Sequence, residues 1–130
     1  MSHALSETVL QVTVQRLGDA TVIHLAGKLV RGEDSSQLRD IAFAQADART
    51  IVLNLAQVER IDAFGLGMLL WLQEWARSRG TVLKLMNTVH QVDLMLQLTG
   101  LNRVFEFCSV RDLFCLMHRA GESYTHTAVA

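Results

Sequence analysis

The sequence predicts one α/β domain with a largely parallel sheet, and three observations carry that prediction. Short β-branched runs alternate with segments of helical apolar spacing. A Gly18-Asp19 turn joins the first two runs into a hairpin. Hydrophobic residues make up 50% and charged residues 19% of 130 residues, which suits one compact core and is too short for two ordinary ones. The order β-β-α-β-α-β-α-β-α implies right-handed crossovers between parallel strands, with the hairpin adding an antiparallel edge. Residues 1–130 are expected to form a single domain, with a core from about 8 to 120 and a frayed tail over 121–130.

Thr8 to Leu17 alternates apolar and polar residues, and Thr21-Val22-Ile23-His24-Leu25 is β-branched enough for a central strand that Gly27 closes. A linker, Lys28 to Gly32, leads to a helix over about Asp34 to Ala46, with Leu38, Ile41, Ala42 and Gln45 at helical spacing. Thr50 to Leu55 is a short continuous apolar run, the pattern of a strand covered on both faces.

A loop from Val58 then brings Asp62 to the start of a helix spanning about Ala63 to Arg79; its carboxylate suits the N-cap, and Gly80 suits the position just past the end. Thr81 to Met86 reads as a strand, Val89 to Leu98 as a helix ended by Thr99-Gly100, and Leu101 to Phe107 contains a short last strand. Ser109 caps a final helix over about Val110 to Ala120.

Several function classes are excluded by what the chain carries. The formal net charge of −1 gives no footprint for nucleic acid and no polybasic patch for a membrane. The N-terminal MSHALSETVLQVTVQ has no basic region followed by an apolar one, and nowhere do about 18 apolar residues run together, so a cytoplasmic protein without membrane insertion is expected.

His3, His24, His90, His118 and His126 are scattered with no metal-ligand spacing, so no metal is expected, and His24 reads as a satisfied core or edge histidine. Cys108 and Cys115, about 10 Å apart at helical rise, are expected to be buried reduced thiols. Gly65-Leu66-Gly67 is too short for a dinucleotide fingerprint; close packing, or a first turn left open to a partner, explains it better. Asp62 has no nucleophile or second acid beside it, so neither a cofactor nor an enzymatic activity is expected.

What remains is surface. Two stripes of the helix after Asp62 compete for the core: Leu66, Leu69, Leu70 and Ala76, or Phe64, Met68, Trp71 and Trp75. Periodicity does not choose between them, and both are buried if a neighbouring helix covers the second. An exposed stripe would be a partner surface with Trp anchors.

Ile51 to Leu55, then Ile61-Asp62-Ala63-Phe64-Gly65-Leu66-Gly67-Met68-Leu69-Leu70, then Arg79-Gly80, then Leu98-Thr99-Gly100-Leu101 followed by Phe105, resemble the STAS domain of anti-sigma-factor antagonists in order and spacing. The likeness runs from about Thr8 to Leu116. It implies a four- to five-stranded mixed sheet with about four helices, and a non-enzymatic switch in transcription regulation. Its implied partner is an anti-sigma factor that is also a GHKL-type serine kinase, or another regulatory protein, with self-association into a homodimer left open.

In the family a Ser or Thr directly after the Asp accepts phosphate, and about two added charges beside that Asp throw the switch. Here that position is Ala63, the next is Phe64, and a loop that often reads Gly-Glu-Leu-Asp in relatives is Gly27-Lys28-Leu29-Val30. The resemblance therefore implies a constitutive binder with a degenerate phosphosite, using Asp62, Ala63, Phe64, Gly65, Gly67, Met68 and Trp71. The alternative role that it implies is an accessory subunit of a lipid-transport ABC system or a scaffold of a sensory complex.

Overall fold

The computed structural model describes residues 10–31 and 35–120. Strand β1 (Gln11–Leu17) turns through Gly18-Asp19 into β2 (Ala20–Leu29), and helix α1 (Ser35–Phe43) follows. Strand β3 (Thr50–Ile61), helix α2 (Ala63–Ser78), strand β4 (Val82–Met86) and helix α3 (His90–Thr99) come next. A 3-10 turn (Leu101–Arg103), strand β5 (Glu106–Cys108) and helix α4 (Val110–Ala120) complete the order expected from the sequence. The five strands form one sheet in the order β1-β2-β3-β4-β5. Strand β1 is antiparallel to β2 and every other pairing is parallel.

The apolar run of β3 is covered on both faces, as expected. Ile51, Leu53 and Leu55 enter the main core with Ile23, Leu25 and Leu85, against Leu38 of α1, Leu69 and Leu72 of α2, and Leu96 of α3. Val52 points the other way, into a smaller cluster with Leu17, Val22, Met86 and Cys108 that Leu113 of α4 packs against. Period-two alternation divides one strand between the two layers.

Two expected boundaries are wrong, and both errors fall next to Asp62. Gly27 does not close β2: it adopts φ 113° within the strand, between register shifts at His24/Ala26 and Gly27/Lys28, and pairing resumes at Lys28↔Arg60 and Leu29↔Ile61. The expected loop from Val58 is the second half of β3, with Val58 and Ile61 buried. Neither extension has strong β propensity alone; each is held by the other's backbone and by the apolar side chains it buries.

Smaller differences are ordinary fraying: α1 ends at Phe43, α2 at Ser78 and β5 comprises Glu106–Cys108. Gly80 and Gly100 adopt φ 76° and 77° just after α2 and α3, the left-handed stop expected of them. Ser109 caps α4 reciprocally, its Oγ accepting from the Asp112 amide while Asp112 Oδ2 accepts from the Ser109 amide, each at 3.0 Å. Thr8, Val9, Asp34 and the tail from Gly121 lie outside the described residues.

Candidate functional site

The site starts from Asp62, where β3 becomes α2. The residue is extended, with φ −121° and ψ −173°, so its carboxylate folds back over the first helical turn. Oδ1 accepts from the Gly65 amide at 2.9 Å and Oδ2 from the Arg31 amide at 3.2 Å, which ties the end of the β2 segment to the helix start. Partial desolvation pushes this carboxyl up, and the amides of Gly65, Arg31 and Phe64 more than offset it, so its pKa lies below the ordinary carboxylate value. Asp62 is thus a charged cap already engaged by its own backbone.

The two glycines behind it do different work. A Cβ on Gly65 would collide with the Leu29 carbonyl oxygen and stand 2.9 Å from Ile61 Cγ1. That same carbonyl accepts from the Asp62 amide at 3.4 Å, so α2 begins pressed against the end of β2. A Cβ on Gly67 would meet nothing within 4 Å. Gly65 is therefore buried and acts through packing, whereas Gly67 leaves an exposed stretch of first-turn backbone uncovered.

Helix α2 divides its apolar residues as follows. Gly65, Leu66, Leu69, Leu72 and Ala76 are buried, with Leu70 and Trp75 half-buried. On the competing stripe Phe64 and Trp71 are each 38% exposed, while Met68, at 9%, forms the floor between them. Helix α3 therefore does not bury the second stripe. The structure instead brings it beside α1: Phe43, 44% exposed, has its ring centroid 5.5 Å from Trp71 and 5.3 Å from Trp75.

Arg39 lies over Trp71, with its guanidinium carbon 5.4 Å from the ring centroid. Arg39, Phe64, Gly67, Met68 and Trp71 line an open groove of about 320 Å³. Ala63, the residue before Phe64, is also exposed. The sequence reading missed Phe43 and Arg39, although an aromatic residue off the buried stripe of α1, one turn after an arginine, was a usable signal.

Elsewhere, His24 is satisfied as expected: Nδ1 lies 2.9 Å from Asn54 Nδ2 and Nε2 3.2 Å from Gln15 Oε1. The expectation for the thiols holds for one of them. Cys108 is buried, and burial and nearby Asp112 push its pKa up, but Cys115 is exposed because it lies on the solvent side of α4. Among the described residues no group of three or more His, Cys, Asp or Glu is placed to hold a metal ion. No helix among them is long and apolar enough to cross a membrane.

With this geometry established, comparison with known families is decisive: the family model for the Mlab STAS domain matches residues 12–111. The chain belongs to the STAS domain family. Solved STAS structures share its fold. An anti-sigma factor antagonist from Mycobacterium paratuberculosis superposes with a TM-score of 0.70 at 16% identity, covering 85% of this chain and 96% of that one. SpoIIAA, the Bacillus cell fate determinant, in its phosphorylated form gives 0.63 at 18% identity, covering 80% and 96%. A sulfate transporter family protein from Wolinella succinogenes gives 0.67 at 21% identity, covering 85% and 93%. None of the curated proteins matches this chain. At these identities the structural likeness speaks for the STAS fold and not for a shared partner.

Proposed function

We propose that this STAS domain is a non-enzymatic binding module of the anti-sigma factor antagonist kind, one that engages a regulatory protein without a phosphorylation switch. The observation that carries the proposal is Ala63: it occupies the exposed first position of α2, directly behind a fully capped Asp62, where a hydroxyl would have to stand to accept phosphate. The partner surface comprises Asp62, Ala63 and Phe64 at the helix start and Gly67, Met68 and Trp71 in the groove, with Gly65 setting the approach of α2 to the sheet. Partly exposed aromatic residues around an open groove are the kind of group that anchors an interface. The protein then acts in the cytoplasm, binding an anti-sigma factor or a related kinase-like regulator, and its occupancy is set by abundance.

The test has two arms. Incubation with ATP and a cognate serine kinase adds no phosphate between Asp62 and Gly67; a phosphoryl group mapped there overturns the reading. Trp71→Glu lowers capture of the native partner while far-ultraviolet circular dichroism stays unchanged; loss of the folded state instead means that the stripe is core.

A second reading, an accessory subunit of a lipid-transport ABC system, is the alternative role that the resemblance of the sequence to STAS domains implies. Co-purification with a membrane ATPase, abolished by the same Trp71→Glu change, selects it.

A further inference from the structure

Phe64, Met68, Trp71 and Trp75 follow one another at spacings of four, three and four residues, a strict 3.5-residue repeat. That is the period of a coiled-coil seam and not of a broad core-facing stripe. The rest of α2 already meets the sheet through Gly65, Leu66, Leu69, Leu72 and Ala76, and on the seam Phe64 and Trp71 are exposed, Met68 is the buried floor and Trp75 packs half-buried against the core beside Phe43 of α1. From Phe64 to Trp75 it runs about 16 Å at helical rise, the length of three helical turns. Gly67, with no side chain, leaves room for another backbone to come close.

Among the described residues, the side chains set over the two tryptophans of this seam are basic. Arg39, in the groove, lies 5.4 Å over Trp71, and Arg79, beyond the groove's lining, lies 5.7 Å over Trp75, the residue one helical turn further along α2. A guanidinium held over a ring face by cation–π attraction still has N–H donors to offer a carboxylate. Among the described residues the ion pairs are Arg16 with Asp47, Arg77 with Glu74 and Lys84 with Glu106, and neither Arg39 nor Arg79 pairs with an acid among those residues. Glu74 is taken by Arg77, and both carboxylate oxygens of Asp62 accept backbone amides. Asp40, the residue after Arg39, is displaced about 100° around the α1 axis.

We propose that this groove takes an amphipathic helix of a partner protein, its apolar edge against Phe64, Met68, Trp71 and Trp75 and its carboxylates, one turn apart, on Arg39 and Arg79. The inference rests on the reading of the groove as the partner surface and adds the partner's chemistry: an acidic helix laid along α2. The arginines select for charge while the aromatic rings supply the contact area.

Trp71 and Trp75 are the only two tryptophans in the chain, so intrinsic fluorescence reads the seam directly. The probes are a helical peptide of about 14 residues with Leu at alternating three- and four-residue spacing and Glu at the flanking positions, the same peptide with Lys for Glu, and anionic phosphatidylglycerol vesicles. The Glu peptide should shift the emission and bind about tenfold more tightly than the Lys peptide, the combined effect of two exposed charge pairs. Arg39→Glu with Arg79→Glu should invert that preference; both side chains are exposed, and circular dichroism verifies that the variant folds.

Equal binding of the two peptides, no binding of the Glu peptide, or an uninverted preference in the double variant overturns the proposal. So does a response to vesicles alone, which assigns the seam to a membrane surface, or a doubling of mass with protein concentration that arginine reversal abolishes, which assigns it to a second copy of this chain. If Trp71→Glu still abolishes native-partner capture while the peptides are not discriminated, the groove remains the binding surface and only the acidic-helix claim falls.

Discussion

Replacing Gly65 and Gly67 by alanine, one at a time, separates packing from exposure within a single helical turn. At Gly65 the new Cβ runs into the Leu29 carbonyl and stands 2.9 Å from Ile61 Cγ1. Leu29 is held by its pairing with Ile61 and the Asp62 amide bonds to its carbonyl, so the obstruction is backbone that cannot rotate away. Overpacking of this kind costs about 3 kcal/mol at the upper end of its usual range. Removing a helical glycine returns about 1 kcal/mol, leaving a net loss of about 2 kcal/mol.

At Gly67 only the second effect operates, because nothing lies within 4 Å of the added methyl, so the variant gains about 1 kcal/mol. For a chain of this size that is about 7 °C lost by Gly65→Ala and about 3 °C gained by Gly67→Ala. Thermal and urea unfolding followed by circular dichroism measure both. Two variants of equal stability, or a Gly65→Ala protein as stable as the parent, would refute the close approach of α2 to β2. Gly67→Ala should also weaken partner binding although it is the more stable protein, because its methyl enters the groove.

Asp62→Ala should cost about 1–2 kcal/mol and Asp62→Asn much less, since Asn still caps; urea titration distinguishes them. The folded carboxyl of Asp62 is lowered, so its ionised form stabilises the fold: the contribution is complete above about pH 4, the unfolded value, and is lost as pH falls through the lower folded value. The stability gap between the parent and Asp62→Asn should accordingly be constant from neutral pH to about pH 5 and shrink below pH 4, and a gap that widens in acid contradicts the cap assignment. Ala63→Glu should leave the fold within about 0.5 kcal/mol of the parent, because the site is exposed and acid suits a helix start, yet lower partner capture. In the native protein a thiol reagent should modify Cys115 rapidly and reach Cys108 only on unfolding, as mass spectrometry of the labelled peptides will show.

Much of this molecule is legible in residue order, and the reason is that the legible features are local. Gly18-Asp19, Gly80 and Gly100 end elements through their own backbone preferences. Asp62 and Ser109 cap the helices that follow them within three residues. The continuous run in β3 announces a strand covered on both faces, and the helix after it announces too many apolar sides. Even the absence of a hydroxyl behind Asp62 is a matter of reading one residue, Ala63.

The tertiary structure decided what depends on distant neighbours. Lys28, Leu29, Arg60 and Ile61 are strand only because they pair with one another across more than thirty residues of chain. The different roles of Gly65 and Gly67 follow from where the Leu29 carbonyl lies, which nothing near the glycines encodes. The same holds for the second stripe of α2. Its residues were named from periodicity, but its exposure was decided by α1, which turns Phe43 toward the two tryptophans and sets Arg39 over Trp71, while α3 packs elsewhere on the sheet. A helical period specifies which residues share a face, and only the packing of the other helices specifies whether that face meets protein or solvent.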